Sequence, residues 1–288
     1  MRKGSVVERP ILFIAPILIV CTAACFGQAV DYRKAIRDFE TVFDHQWTTM
    51  NEDDFGSYVK RMTHEDIERT MAQISALVEY EGSNERFCTQ RYKYGKPTHL
   101  HAAPIWYFET FWQRAREEVP FSLFVVAKAP CVVEVEIVDS FDTTLVWEDH
   151  TTWVESYGVR VFRAKVLHVF KSPSLAEGQL IEFLYPTAWT SNVIGPGFPP
   201  SFDVNEHCIL FLDVVGFKDT PRSEFDYGLT HQPYRLITSF DANYGRLVIR
   251  GDSAVDAGGK MVGSSVGGVK SLRSTLTDEI EHLRSLTK

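Results

Sequence analysis

No C-x-x-C pair occurs in the 288 residues, which excludes a zinc ribbon and a thioredoxin-type redox centre. There is no H-E-x-x-H helix motif. The run His64-Glu65-Asp66-Ile67-Glu68 begins like one but has no second histidine. No glycine-rich phosphate loop follows a strand pattern, and no Ser-x-x-Lys pair is joined by the companion motifs of an acyl-enzyme. Basic clusters are missing too. With 30 Lys and Arg against 38 Asp and Glu, the net charge is -8, a poor match for nucleic-acid phosphates. No N-x-S/T acceptor, internal repeat or low-complexity tract is present. After the first 29 residues, no apolar run approaches the ~20 residues of a membrane-spanning helix.

What is present begins with a leader. "MRKGSVVERP" is basic, "ILFIAPILIVCTAAC" is apolar, and "GQA" places small residues at Gly27 and Ala29. This is the layout of a signal peptide over residues 1–29, with Val30 as the mature start. An uncleaved anchor is the alternative, opposed by Pro16 and the short apolar span. A second alternative is lipid attachment at Cys25, after the small residues of "TAAC". The expected location is therefore secreted or periplasmic. The leader carries Arg2, Lys3 and Arg9 against Glu8, so its loss takes the charge from -8 to -10. It also removes Cys21 and Cys25 of the five cysteines. Cys88, Cys131 and Cys208 remain. An oxidising compartment permits one disulfide among them, and three buried thiols are equally compatible with the sequence.

Two halves of the chain differ in hydrophobic period. Residues 30–120 read as helical. Tyr32, Ile36, Phe39 and Phe43 share one helical face, as do Ile67, Met71, Ile74 and Val78. Asn51 and Thr63 are natural N-caps, and Pro104 suits the first turn of a helix through Ile105, Phe108, Trp112 and Ala115. "FSLFVVAKAP", 121–130, is open between helix and strand. From Cys131 the period becomes two: Val133, Val135 and Ile137 alternate with Glu134 and Glu136. Further strands are expected at 159–170, 179–185 and 207–215, then in "YRLITSF" and "GRLVIR". The 207–215 strand is apolar on both faces and so central. A Gly/Ser-rich passage precedes a final amphipathic helix through Leu272, Leu276, Ile280 and Leu283.

The order "CVVEVEIV", "VFRAKVLHVFKS", a turn at Gly178, "LIEFLYP", then "VNEHCILFLDVV" and "YRLITSFDANYGRLVI" resembles small secreted OB-fold domains of the netrin-like and metalloproteinase-inhibitor type. The resemblance covers residues 131–250. Ser172 stands where that family has glycine. It implies a five-stranded OB-like antiparallel β-barrel, placed over 121–256; together with the helical periodicities the expected fold class is α+β, a helical N-terminal region packed on that barrel with a C-terminal helix within 257–288. It transfers no catalytic residue. The N-terminal cysteine wedge by which such inhibitors act has no counterpart after Ala29.

Four features invite a chemical reading. His168, alone among apolar neighbours, lacks ligand partners and is expected to face outward at a bulge. His99 and His101 in "HLHAAP" project to one side if extended and form the candidate metal pair of a metal-assisted hydrolase. Trp189, Phe198 and Phe202 stud the loop 186–206 and are candidate ligand-binding residues, opposed by a role in packing. Arg250-Gly251-Asp252 reads as a strand running into a turn. The functional expectation is an exported, non-catalytic binding or interaction protein. Its partner is an extracytoplasmic protein or a carbohydrate, with no catalytic residue, no cofactor, no nucleic acid and no membrane span once the leader is removed.

Overall fold

A computed structural model describes residues 37–38, 41, 46–81, 103–148, 154–186, 202–214, 234–236, 238–239, 242–243, 245–256 and 268–287. After a 3-10 turn at Trp47–Thr49 come helices α1 (Glu52–Arg61), α2 (His64–Glu81), α3 (Ala103–Glu118) and α4 (Phe121–Lys128). The strands are β1 (Cys131–Glu148), β2 (Val154–Lys171), β3 (Leu180–Pro186), β4 (His207–Val214) and β5 (Tyr234–Leu236). A small hairpin β6 (Thr238–Ser239) and β7 (Ala242–Asn243) follows, then β8 (Arg246–Arg250), β9 (Ser253–Asp256) and helix α5 (Val269–Leu286).

The helices begin where their caps dictate. The Asn51 side chain accepts a hydrogen bond from the Asp54 amide at 2.9 Å. The Thr63 hydroxyl accepts from the Asp66 amide while the Asp66 carboxylate accepts from the Thr63 amide, both at 3.2 Å. That reciprocal pair is a capping box built with Asp. Ile67, Met71, Ile74 and Val78 are all buried, as are Phe108, Trp112 and Ala115 of α3. The open segment 121–130 resolves as helix α4, with Leu123 through Ala127 buried.

The five-stranded antiparallel barrel is not what the chain builds. Seven strands form one sheet in the order β1-β2-β3-β5-β4-β8-β9, and the β3–β5 pairing is parallel. The cause lies at β4. Leu210 and Leu212 are two positions apart on that strand, but their partners Arg246 and Leu236 are ten positions apart. The extra chain contains the hairpin β6–β7. One edge of β4 is therefore divided between β5 and the β8–β9 hairpin, which carries the sheet beyond five strands. On its other edge β4 pairs with Cys131–Glu136 of β1.

Alternation gives the sheet two apolar faces. Val133, Val135 and Ile137 of β1 meet Phe162, Ala164 and Val166 of β2 and Cys208, Leu210 and Leu212 of β4 in one core. Val132, Ile209, Phe211 and Leu247 point the other way, into a core shared with the helices. The central placement of β4 follows from this double burial. α5 lays Leu272, Leu276, Ile280 and Leu283 on the same helical core, as its periodicity requires. Arg250 ends β8 and Gly251–Asp252 make the turn into β9, so the Arg-Gly-Asp string is hairpin geometry.

Gly245 closes the division of β4. Its carbonyl accepts from the Phe211 amide at 2.9 Å. A Cβ there would stand 2.6 Å from the Cβ of Leu236 and 3.2 Å from its Cα. Gly245→Ala is expected to cost about 1–3 kcal/mol through forced backbone displacement, read as a lower midpoint in chemical denaturation.

Candidate functional site

β2 is bent twice. Between the pairs Val135↔Val166 and Glu134↔His168 the strand carries one extra residue, Leu167. Between Val133↔Val169 and Val132↔Lys171 it carries another, Phe170. Bulges re-aim the side chains that follow them. The first sends His168 outward, where it is half exposed, bonds Glu177 at 2.8 Å and stands edge-on to Phe170. The second aligns Lys171 with Val132, on the face that packs against the helices.

Lys171 is 2 % exposed. Its Nζ donates to the Ser75 hydroxyl at 2.8 Å and to the Val126 carbonyl at 3.0 Å. Val126 lies in the last turn of α4, where carbonyls have no helical partner, so the ammonium supplies a C-terminal cap. Burial lowers the Lys171 pKa from 10.5 to about 8, Glu79 opposing the shift and Arg284 reinforcing it. Lys171 and Ser75 line a small cleft whose interior has room for about one water molecule. Ala72, Ala76, Ile280 and Leu283 make its apolar walls, and Glu79 and Arg284 complete it. Arg284 donates Nη2 to Glu79 and Nη1 to Glu281, each at 3.1 Å. Its Nε is buried and has no hydrogen-bond partner among the described residues.

The chemistry open to this arrangement is narrow. A lysine that can shed its proton near neutrality, touching a serine, suggests acyl transfer. Ser75, however, sits in mid-helix. The amides around it serve the helix ladder and leave no backbone oxyanion hole. What remains is a small concave site with apolar walls and converging donors.

A second polar centre lies along the same seam. Glu134, 2 % exposed, accepts from His207 Nε2 at 2.6 Å and from Arg273 Nε at 2.8 Å. Burial works to raise its pKa, but the bonds and charges of Arg273 and His207 outweigh it, and the net shift is downward. His207 and Cys208 point to opposite faces: one reaches Glu134, the other is buried in the inner core. Near the sheet's end, Arg246 bonds Glu206 and covers the ring of Phe202, 3.9 Å from its centroid.

Of the residues singled out in the sequence, His99, His101, Trp189, Phe198 and Cys88 lie outside the described residues. So does the leader, Cys25 included. Phe202 is 5 % exposed and packs on Phe162 and Phe183, with centroids at 4.9 and 5.0 Å. It belongs to the core and offers no ring face to a ligand. Cys131 and Cys208 are free buried thiols; burial pushes the Cys131 pKa up to about 11 and that of Cys208 higher still. Among the described residues, no group of three or more His, Cys, Asp or Glu side chains is arranged to hold a metal, and no helix is long and apolar enough to cross a membrane.

Sequence reading missed the Lys171 cleft because Ser75 and Lys171 are 96 positions apart. It also passed over one match to the serine-nucleophile string, Gly263-Ser264-Ser265-Val266-Gly267, which lies outside the described residues. No family model, curated protein or solved structure matches the chain. The resemblance to netrin-like domains therefore rests on the sequence phrases alone.

Two outcomes are expected. Phe202→Ala should cost about 3–5 kcal/mol in denaturant unfolding, the range of a buried aromatic and far above that of a surface residue. The second concerns pH. The folded pKa of Lys171 lies below its unfolded value, so the unfolded chain holds the extra proton between pH 8 and 10.5, and this group's contribution to stability rises across that window. The full shift corresponds to about 3 kcal/mol. Cys131 acts oppositely. Its raised pKa removes stability between pH 9 and about 11. The lysine contribution is isolated as the difference between the stability–pH curves of wild type and Lys171→Met. That difference should change across the lower window and flatten above it.

Proposed function

We propose that the protein acts outside the cytoplasm as a non-catalytic binding protein, and that it takes a small anionic molecule into the cleft between α2 and α5. The observation that carries this reading is the cleft's composition. Alanine, isoleucine and leucine walls surround a buried ammonium, a hydroxyl and an unpartnered guanidinium N–H. Ligand sites are typically concave, mostly apolar and oriented by a few convergent polar groups. Their donors here favour an acceptor-rich ligand. The interior has room for about one water molecule, so only an acceptor group of the ligand would enter it. The mid-helix position of Ser75 favours binding over acyl transfer, and the leader sequence supports export.

Titration with acetate, propionate and lactate, followed by alanine-methyl NMR, tests the reading. The Ala72 and Ala76 methyls should shift, while that of Ala254, which does not line the cleft, stays in place. Silence of both cleft methyls with all three acids overturns it. Intact mass of the exported protein should begin at Val30; a retained leader overturns the export component. About one equivalent of bound zinc per chain would instead favour the hydrolase centred on His99 and His101.

A further inference from the structure

We propose that the cleft is a site for one ordered water molecule, which forms a lasting part of the seam between α2 and α5. The inference goes beyond the anion reading, because it concerns the protein without any ligand. The interior has room for about one water. A space that small puts the polar groups of its wall within reach of one occupant. Those groups belong to Ser75, Glu79, Lys171, Arg284 and Thr287.

Three of them keep hydrogen-bonding capacity that the described residues do not use. Arg284 commits Nη1 to Glu281 and Nη2 to Glu79, while its buried Nε has no partner. Lys171 has three ammonium protons, of which Ser75 and the Val126 carbonyl take two. Glu79 is buried and receives Arg284 on Oε1, so its second oxygen still has lone pairs to offer. The Thr287 hydroxyl is already spent on the Arg284 carbonyl at 2.9 Å. Buried polar groups are met by protein or by ordered water, and leaving them unmet is costly. A water that accepts from Arg284 Nε and Lys171 Nζ and donates to Glu79 makes three bonds, the usual number for a buried water. Two cations and a carboxylate share the wall, so the resident must both accept and donate. Water does both; a halide only accepts. The side chains of Ala72, Ala76, Ile280 and Leu283 confine it without offering a competing bond.

The water makes a link that the direct bonds do not. Lys171 reaches α2 and α4, and Arg284 joins α5 to α2. Through the water, the end of β2 is tied to α5 as well. It also gives the buried ammonium a route by which its protons exchange with solvent.

The experiment uses the full-length exported chain with labelled alanine methyls, in buffer free of chloride and carboxylates. Water-to-methyl cross-peaks are recorded in laboratory-frame and rotating-frame modes. The Ala72 and Ala76 methyls should show cross-peaks of opposite sign in the two modes, the mark of a water that tumbles with the protein. Ala127, buried away from the cleft wall, should show none. Absence of such cross-peaks at both cleft methyls overturns the proposal. Ala76→Leu fills the space and should lower the oxygen-17 relaxation dispersion by about one long-lived water per chain. Ala72→Leu serves if that variant does not fold, and an unchanged amplitude in a folded variant overturns the placement. Arg284→Lys keeps the charge but loses Nε; cross-peaks of unchanged intensity overturn that bond. Acetate separates this proposal from the anion reading. If the water cross-peaks persist and neither methyl shifts on titration, the anion reading fails and the water stands. If the methyls shift with acetate but show no bound water before it, the water fails and the anion reading stands.

Discussion

The buried ammonium of Lys171 is the contact on which the joining of sheet and helices depends. One atom bonds the Ser75 hydroxyl on α2 and the Val126 carbonyl at the end of α4, and its chain emerges from the last residue of β2. A lone charge in this position would be intolerable; its cost is several kcal/mol after relaxation. Three circumstances make it bearable. The last turn of a helix carries partial negative charge, the carbonyl there lacks a helical partner, and Glu79 lies close enough to favour the charged form. Even so, burial away from water wins and the proton is held loosely. The same balance that pins the layers leaves a lysine close to giving up its proton.

The rest of the seam uses ion pairs of the same kind, and α5 is held near both ends by them. Arg273, in its second turn, reaches Glu134 on β1, and Arg284, in its last turn, reaches Glu79 on α2. A basic residue in the last turn complements the helix dipole. Near the helix start a base alone would be unfavourable, but Glu134 supplies the opposing charge from the sheet. Apolar burial of Leu272, Leu276, Ile280 and Leu283 provides most of the attachment. The paired charges fix where along the sheet the helix comes to rest, because leaving any one of these buried partners unpaired costs far more than the pair contributes.

Much of the secondary structure was legible because it is written locally. The repeat through Ile67, Met71, Ile74 and Val78, the caps at Asn51 and Thr63, and the alternation from Cys131 each occupy a window in which one period dominates. Strand pairing was less legible. Nine strand residues of β5, β6, β7 and β8 lie in "YRLITSFDANYGRL", and nothing in that phrase states that a hairpin is looped out of the edge facing β4. The five-stranded antiparallel barrel failed there. The alternation of Glu134 and Glu136 with valines marked one face as polar; α5, arriving from 139 positions away, buried Glu134 beneath Arg273.

The site was hidden for a related reason. Local scanning fixes on residues that look odd among their neighbours, and in "VLHVFK" the odd residue is His168. A lysine ending a strand looks ordinary. Its burial follows from two single-residue bulges, and the second, at Phe170, decides which face Lys171 takes. Without Phe170 as the extra residue, strict alternation would send the ammonium into the all-apolar core of Val133, Phe162 and Leu210, where it has no partner. With it, the ammonium meets a serine and a helix end, beside the small residues Ala72 and Ala76 of α2. The cleft and its charge thus share one origin, a strand that slips by a residue just before it ends.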